Sequence, residues 1–156
     1  MILFSNSFGN GEEIPMKYTA DGENISPHIG WKNIPKKTRS LALVMYDIPF
    51  RSIPSFNIKH WILYNIPLKL TEVAEGFPSG PLQENGICQG ISYFGNKYGG
   101  PDPPFGEHTY YFNLYAIDEI IDLDPKKTKW KKLYNEMKNH IIEQSVLAGK
   151  YKKDSK

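Results

Sequence analysis

The sequence predicts a mainly β, single-domain β-sandwich that is closed by one C-terminal α-helix. Short runs of β-branched and aromatic residues occur up to about residue 125, and the clearest are residues 41–46, 61–64 and 110–117. The 12 prolines and 13 glycines fall between such runs, which is typical of the strands and turns of a sandwich or barrel. Because 156 residues suffice for one core and no repeat or linker divides them, we expect one domain.

The C-terminal region differs because its apolar residues recur at helical spacing. Asp124-Pro125 is suited to a helix start. A helix from there to Gly149 would place the following residues near one face: Trp130, Leu133, Met137, Ile141 and Ala148. Since little beyond that helix could be buried, we expect a domain at residues 1–150 and a frayed tail at residues 151–156.

Composition and charge restrict the possible partners. Lys and Arg number 19 against 17 Asp and Glu, and the net charge of +2 gives no general attraction to nucleic acid or anionic membranes. No apolar stretch approaches the roughly 20 residues that cross a bilayer, so we expect at most peripheral membrane contact. Cys88 is the only cysteine, and the N-terminus lacks the basic and apolar regions of a signal peptide, so we expect a cytoplasmic protein.

The first candidate site residue is His60, in the predicted strand Ile58–Ile66. Strict alternation would place it on the same face as Ile62, Tyr64 and Ile66. Taken alone, a partly buried histidine that is hydrogen-bonded to the backbone is the preferred interpretation.

The second candidate region is the segment from Gly99 to Tyr110, with the sequence Gly-Gly-Pro-Asp-Pro-Pro-Phe-Gly-Glu-His-Thr-Tyr. Prolines stiffen this loop, and the strand after it aims four side chains the same way: His108, Tyr110, Phe112 and Leu114. The loop could be a simple tight connection. We favour a ligand site because a rigid loop that ends in two aligned polar groups is a preorganised arrangement.

The third candidate is Asp47, in Tyr46-Asp47-Ile48-Pro49 at the end of a strongly apolar strand. Alone, it is best interpreted as a turn-initiating residue. The sequence has no complete phosphate-binding P-loop, no nucleophile elbow and no zinc-binding spacing. We therefore expect no catalytic residue, no metal site and no cofactor.

Four motifs in order resemble the phosphatidylethanolamine-binding proteins, also called Raf kinase inhibitor proteins, especially their bacterial and archaeal branch. The matching segments are Asp21-Gly-Glu-Asn-Ile-Ser-Pro27 with Trp31, His60-Trp-Ile-Leu-Tyr-Asn-Ile-Pro67, Gly99-Gly-Pro-Asp-Pro-Pro104 with His108-Thr-Tyr110, and His140-Ile-Ile-Glu with Leu147-Ala-Gly-Lys-Tyr151. The resemblance implies a β-sandwich that binds phosphate-like or carboxylate anions in a pocket of two histidines, a tyrosine, a proline-rich loop and an Asp-Pro-Asp-x-Pro turn.

On matching positions, the resemblance assigns ligand contact to these residues: His60, His108, Tyr110, Asp102, Pro103 and Pro104. The sequence departs at the turn, where Tyr46-Asp47-Ile48-Pro49 stands and the loop to His60 is longer. The resemblance therefore also assigns ligand contact to Asp47 and Pro49. Asp47 takes the place of the first aspartate of the turn, and alignment onto the second aspartate is the alternative.

These observations favour a non-enzymatic protein that binds a phosphate ester, a phospholipid headgroup or a carboxylate. Two imidazoles and a phenol can supply the donors, and we expect binding to be strongest at mildly acidic to neutral pH. The resemblance also implies an alternative role as an inhibitor of a kinase or serine protease, with Pro49–Pro54 and Phe105 as candidate contacts. Weak acid-base chemistry by the two histidines is a third hypothesis, and a homodimer is possible.

Overall fold

The computed structural model describes residues 1–47 and 58–153, which form two β-sheets and one short α-helix. The strands are β1 Ile2–Phe4, β2 Ile29–Lys32, β3 Ser40–Asp47, β4 Ile58–Ile66, β5 Glu72–Val73, β6 Cys88–Gln89, β7 Glu107–Ile117 and β8 Ile141–Lys152, and the helix is α1 Trp130–Met137. The small sheet has the order β1-β2-β5 and the large sheet the order β6-β4-β3-β7-β8. The pairings within both sheets are antiparallel. The prediction of a mainly β sandwich is confirmed.

The main core lies between the two sheets, and a second apolar cluster covers the outer face of the large sheet. Strand β3 contributes to both because its successive side chains point to opposite faces. Leu43 and Met45 join the main core with Trp31 of the small sheet, whereas Val44 joins Leu133 of α1 in the outer cluster. This explains why β3 is almost continuously apolar instead of alternating with polar residues.

Two irregularities in β4 change the face on which His60 lies. The register with β3 passes from Met45↔Trp61 to Tyr46↔Lys59, so His60 is an extra residue in a β-bulge. A second shift separates Leu63 from Ile66, and Asn65 there has a positive φ of 54°. The predicted common face of His60, Ile62, Tyr64 and Ile66 is therefore wrong, because bulges interrupt the alternation and re-aim side chains.

The C-terminal helix exists, but it is shorter than its apolar pattern suggested. A 3-10 turn at Pro125–Lys127 precedes it, α1 ends at Met137, and Ile141 begins β8. The prediction that one helix extends to Gly149 is therefore wrong for the residues after Met137. The β-branched residues of Ile141-Ile142 fit a strand well, and β8 pairs along the whole length of β7.

The end of the chain is more ordered than expected. Strand β8 continues to Lys152, and Tyr151 is 3% exposed within the main core. Fraying is thus wrong for Tyr151 and Lys152, while residues 154–156 lie outside the described residues. No helix in the described part of the chain is long and apolar enough to cross a membrane.

Candidate functional site

Three neighbouring strands bring four of the predicted site residues together at one end of the main core. Asp47 of β3 is the direct cross-strand partner of Tyr110 of β7, and His108 lies two residues earlier on β7. The ring centroids of His60 and Tyr110 are 5.3 Å apart, and those of His108 and Tyr110 are 6.4 Å apart. We call His60, His108, Tyr110 and Asp47 the histidine cluster.

The structure determines which nitrogen of each imidazole carries its proton in the neutral state. His60 Nδ1 lies 2.7 Å from the carbonyl oxygen of Gly99, and His108 Nδ1 lies 2.9 Å from Asp47 Oδ2. Because a carbonyl and a carboxylate oxygen can only accept, both Nδ1 atoms donate. Nε2 is therefore the nitrogen that gains or loses a proton on each ring.

Burial shifts the pKa of His60 and of Tyr110 in opposite directions. His60 is 4% exposed, and this desolvation lowers its pKa, although the Gly99 carbonyl and the Asp47 charge oppose the change. Desolvation and the Asp47 charge raise the pKa of Tyr110, while the Asp102 backbone amide opposes that rise by hydrogen bonding. Tyr110 is therefore a neutral phenol near neutral pH, so its hydroxyl group can donate a hydrogen bond.

One carboxylate oxygen of Asp47 accepts a hydrogen bond from His108, and the other has no partner among the described residues. Its side chain is 6% exposed, and Oδ1 has no hydrogen-bond partner among the residues that the structure describes. An unsatisfied buried carboxylate oxygen is costly. Such a cost is typical of functional sites, where a ligand or water supplies the missing donor.

The proline-rich loop is held against the segment that carries the first family-like motif. The Gly100 amide donates to Asn24 Oδ1 at 2.7 Å, and the Ala20 amide donates to the Pro101 carbonyl at 3.0 Å. A β-carbon at Gly100 would collide with the Tyr18 carbonyl oxygen and with Asn24, so glycine is required for this close approach.

The remaining predicted site residues have different surroundings. Pro103 is buried and Pro104 is exposed. The Asp102 carboxylate is exposed and pairs with Lys153 Nζ at 2.8 Å. Pro49 and the whole segment Pro49–Pro54 lie outside the described residues.

Three contacts of the histidine cluster were missed by sequence reasoning. The Phe94 ring packs 5.3 Å from the His60 ring, Gly99 provides the acceptor for His60, and Tyr151 of β8 is the cross-strand partner of His108. Gly99 and Tyr151 carried a usable signal, because Gly99 opens the proline-rich loop and Tyr151 ends the fourth matching segment.

Among the clefts in the described part of the surface, two differ in their relation to the histidine cluster. One of about 350 Å³ is partly lined by Phe94 and Gly99, and it therefore adjoins His60. The larger, of about 610 Å³, is formed by residues between 70 and 87 and includes no predicted site residue. Because the titratable groups converge at the cluster, chemistry rather than cleft size identifies the candidate site.

The fold and the cluster define a β-sandwich with a buried polar site at the end of its core, and comparisons with known proteins identify its family. The family model for phosphatidylethanolamine-binding protein matches residues 4–152. The chain therefore belongs to the phosphatidylethanolamine-binding protein family.

Curated relatives and solved structures agree with this family. A UPF0098 protein of Aquifex aeolicus is 44% identical over 158 residues, which cover 99% of this chain and 90% of the relative. A UPF0098 protein of Methanothermobacter thermautotrophicus is 37% identical, with 98% and 99% coverage. The solved structure of Chlamydia trachomatis CT736, described as a phosphatidylethanolamine-binding protein homologue, is 32% identical with a TM-score of 0.84 and covers 98% of this chain and 97% of its own.

A more distant structure supports the fold alone. E. coli YbcL, described as a member of the mammalian phosphatidylethanolamine-binding protein family, is 22% identical with a TM-score of 0.85. The alignment covers 97% of this chain and 98% of YbcL. The predicted family and fold class are therefore confirmed.

Proposed function

We propose that the histidine cluster binds a small anion, either a phosphate monoester or a carboxylate. The observation that carries this proposal is the shared orientation of the two imidazoles: each has its Nδ1 held by an acceptor, at 2.7 Å for His60 and 2.9 Å for His108. Each ring can then offer a protonated Nε2 to an anion, because only Nδ1 is used for positioning.

Burial strengthens such an interaction. An anion that leaves water needs donors already in place, and charge-assisted hydrogen bonds are strong where water is excluded. Tyr110 is 1% exposed and provides a third donor. The negative charge of Asp47 would repel an anion, but Asp47 Oδ2 engages only Nδ1 of His108, so His108 Nε2 is left to contact the ligand.

Binding should be coupled to proton uptake. Burial lowers the pKa of His60, so in the ligand-free protein this ring is neutral at neutral pH. A bound anion favours the charged ring and raises its pKa. Affinity should therefore increase as the pH falls toward 6, until protonation of a phosphate ester at its second pKa of about 6 reduces the ligand charge.

Titration calorimetry with O-phosphoethanolamine, inorganic phosphate and acetate tests the proposal. We expect the wild-type protein to bind at least one of them, and the His60→Ala plus His108→Ala double variant to lose that binding. His140→Ala is the matched control, because His140 Nδ1 also contacts a carboxylate, Asp118, at 2.9 Å, but at the surface. If no ligand binds the wild type, or if the double variant binds equally well, the proposal is wrong.

A protein-binding role is the second candidate, and one observation favours it. Phe105, in the loop between Pro104 and β7, is 62% exposed. Large exposed aromatic rings are enriched in protein interfaces. In a pull-down from native lysate, a target captured by the wild type and lost with Phe105→Ala would favour an inhibitor role, whereas the anion site requires no such partner.

A further inference from the structure

The aromatic ring of Phe94 is wedged between the His60 imidazole and the backbone of Gly99. The ring centroids of Phe94 and His60 are 5.3 Å apart, and the two planes are inclined by 47°. A β-carbon at Gly99 would lie only 2.1 Å from the Phe94 ring, so this close packing requires a glycine. Gly99 in turn holds His60, because its carbonyl accepts from Nδ1 at 2.7 Å and its amide donates to the His60 carbonyl at 3.0 Å. The ring, the imidazole and the glycine backbone thus contact one another.

The loop that carries Phe94 is held by hydrogen bonds of its own and is attached to β4. Ser92, which is 6% exposed, accepts the Phe94 amide hydrogen at Oγ, with a distance of 3.1 Å. The backbones of Ser92 and Gly95 exchange two hydrogen bonds, at 2.9 and 3.1 Å. The Tyr93 amide donates to the carbonyl of Lys59 in β4 at 2.9 Å. The backbone therefore determines where the Phe94 ring lies relative to β4.

Phe94 also lies between His60 and a surface cleft. Phe94 and Gly99 line this cleft of about 350 Å³, whereas His60 is not among the described residues that line it. The lining includes charged side chains such as Glu23 and Lys97, so the cleft is suited to hold water. His60 itself is 4% exposed. The Phe94 ring, together with the Gly99 backbone, therefore separates the imidazole from the cleft.

We propose that Phe94 is a positioning residue for the anion site, which keeps the His60 imidazole on the Gly99 carbonyl and shields it from the water of the cleft. This inference rests on the anion-binding function proposed above. The terminal torsion of a histidine side chain has only a broad preference, so neighbouring groups must define the orientation of the ring. Side chains that packing and hydrogen bonds already hold in place bind a ligand without the cost of ordering them. The exclusion of water also strengthens a charge-assisted hydrogen bond from the imidazolium to an anion.

The test compares the wild type with Phe94→Ala, with Phe94→Leu, and with Phe77→Ala as a matched control. Phe77 lines the same cleft, but its ring packs against Trp61, with centroids 5.7 Å apart. NMR without ligand measures the apparent pKa of His60 and the chemical shifts of its two ring nitrogens, which report the tautomer. Calorimetry measures phosphate affinity between about pH 5 and pH 8, the range in which histidines titrate.

Phe94→Ala should raise the apparent pKa of His60 toward its ordinary value of about 6.5, because burial lowers this pKa in the wild type. The neutral imidazole should become a mixture of tautomers once Nδ1 leaves the Gly99 carbonyl. The highest phosphate affinity in the pH range should fall about three- to tenfold, the net contribution of one hydrogen bond, and it should be reached at a higher pH. Phe94→Leu, which retains apolar bulk, and Phe77→Ala should remain close to the wild type in all three measurements.

The two proposals can fail separately. A wild-type protein that binds no phosphate overturns the anion site and the positioning role together. If the wild type binds phosphate and Phe94→Ala retains either the wild-type affinity or the wild-type pKa of His60, only the role of Phe94 is wrong. Equal changes in Phe77→Ala would also overturn that role, because they would indicate a general loosening around the cleft.

A second variant keeps the test decisive if Phe94→Ala does not fold. Ser92→Ala removes the hydroxyl group that holds the Phe94 amide and leaves the ring in the chain. A raised pKa of His60 together with weaker phosphate binding in Ser92→Ala would support the positioning role. A wild-type value of either quantity would contradict it.

Discussion

Two histidine–aspartate pairs in this protein have the same geometry and very different surroundings. His108 Nδ1 and Asp47 Oδ2 are 2.9 Å apart, as are His140 Nδ1 and Asp118 Oδ1. The side chains of the first pair are 10% and 6% exposed, and those of the second pair are 39% and 50% exposed. Geometry alone therefore does not distinguish a structural surface pair from a candidate ligand site, and burial must decide.

The largest expected difference between the pairs concerns stability. Asp47→Ala removes the acceptor of a buried imidazole and should lower the free energy of unfolding by about 3 kcal/mol, because an unpaired buried partner is strongly destabilising. Asp118→Ala removes a surface partner and should cost less than about 1 kcal/mol. Urea denaturation of both variants measures the difference. Similar costs for the two substitutions would contradict the distinction.

A second difference depends on the loop that encloses the histidine cluster. Gly100→Ala should lower the free energy of unfolding by about 2 kcal/mol, because the new β-carbon collides with backbone atoms, and it should weaken phosphate binding. Gly9→Ala is the control, since its β-carbon would meet only the flexible Glu12 side chain. Denaturation and calorimetry on both variants check this expectation. A Gly100→Ala protein as stable as Gly9→Ala would show that the loop can move away.

A smaller effect is expected in the pH dependence of stability, through His60. Because desolvation lowers the pKa of His60 in the folded state, the unfolded chain binds this proton first as the pH falls below its ordinary value of about 6.5. The contribution of His60 is therefore intact above that pH and is lost on acidification. Urea midpoints between pH 7.5 and pH 5 should fall less in His60→Gln than in the wild type. A slope unchanged by His60→Gln would be inconsistent with this assignment.

The smallest expected difference between the two pairs is the effect of salt on their coupling free energies. In 0.5 M NaCl, the coupling between His140 and Asp118 should lose most of its few tenths of a kcal/mol, because exposed charges are screened. The coupling between His108 and Asp47 should change little. Double-mutant cycles at low and high salt measure both couplings. Equal salt sensitivity would mean that water reaches both pairs.

For the strands of the candidate site, the sequence predicted the side-chain faces of β7 correctly and those of β4 incorrectly. On β7, alternation correctly placed Tyr110, Phe112 and Leu114 on one face with His108, because the pairing is regular from residue 107 to 116. On β4 the same rule failed at His60, since a bulge depends on the partner strand and not on the local pattern. Asn65 offered the only local hint, because asparagine tolerates positive φ.

Long-range contacts explain most of what sequence reasoning could not reach. The spacing of Leu133, Met137 and Ile141 fits a helix, yet pairing with β7 converts the chain into a strand from Ile141. Local periodicity cannot reveal this competition, because tertiary pairing overrides it. The contact of the Gly99 carbonyl with His60 and the ion pair between Lys153 and Asp102 were missed for the same reason: each joins residues at least 39 positions apart.

The titration of the four histidines by NMR, with and without inorganic phosphate, tests the proposed anion site most directly. Saturating phosphate should raise the apparent pKa of His60 and of His108, because a bound anion stabilises both imidazolium rings. His28 and His140, which pair with surface glutamate and aspartate side chains, should titrate as before. Unchanged titration of His60 and His108, or equal shifts in all four rings, would contradict anion binding by the histidine cluster.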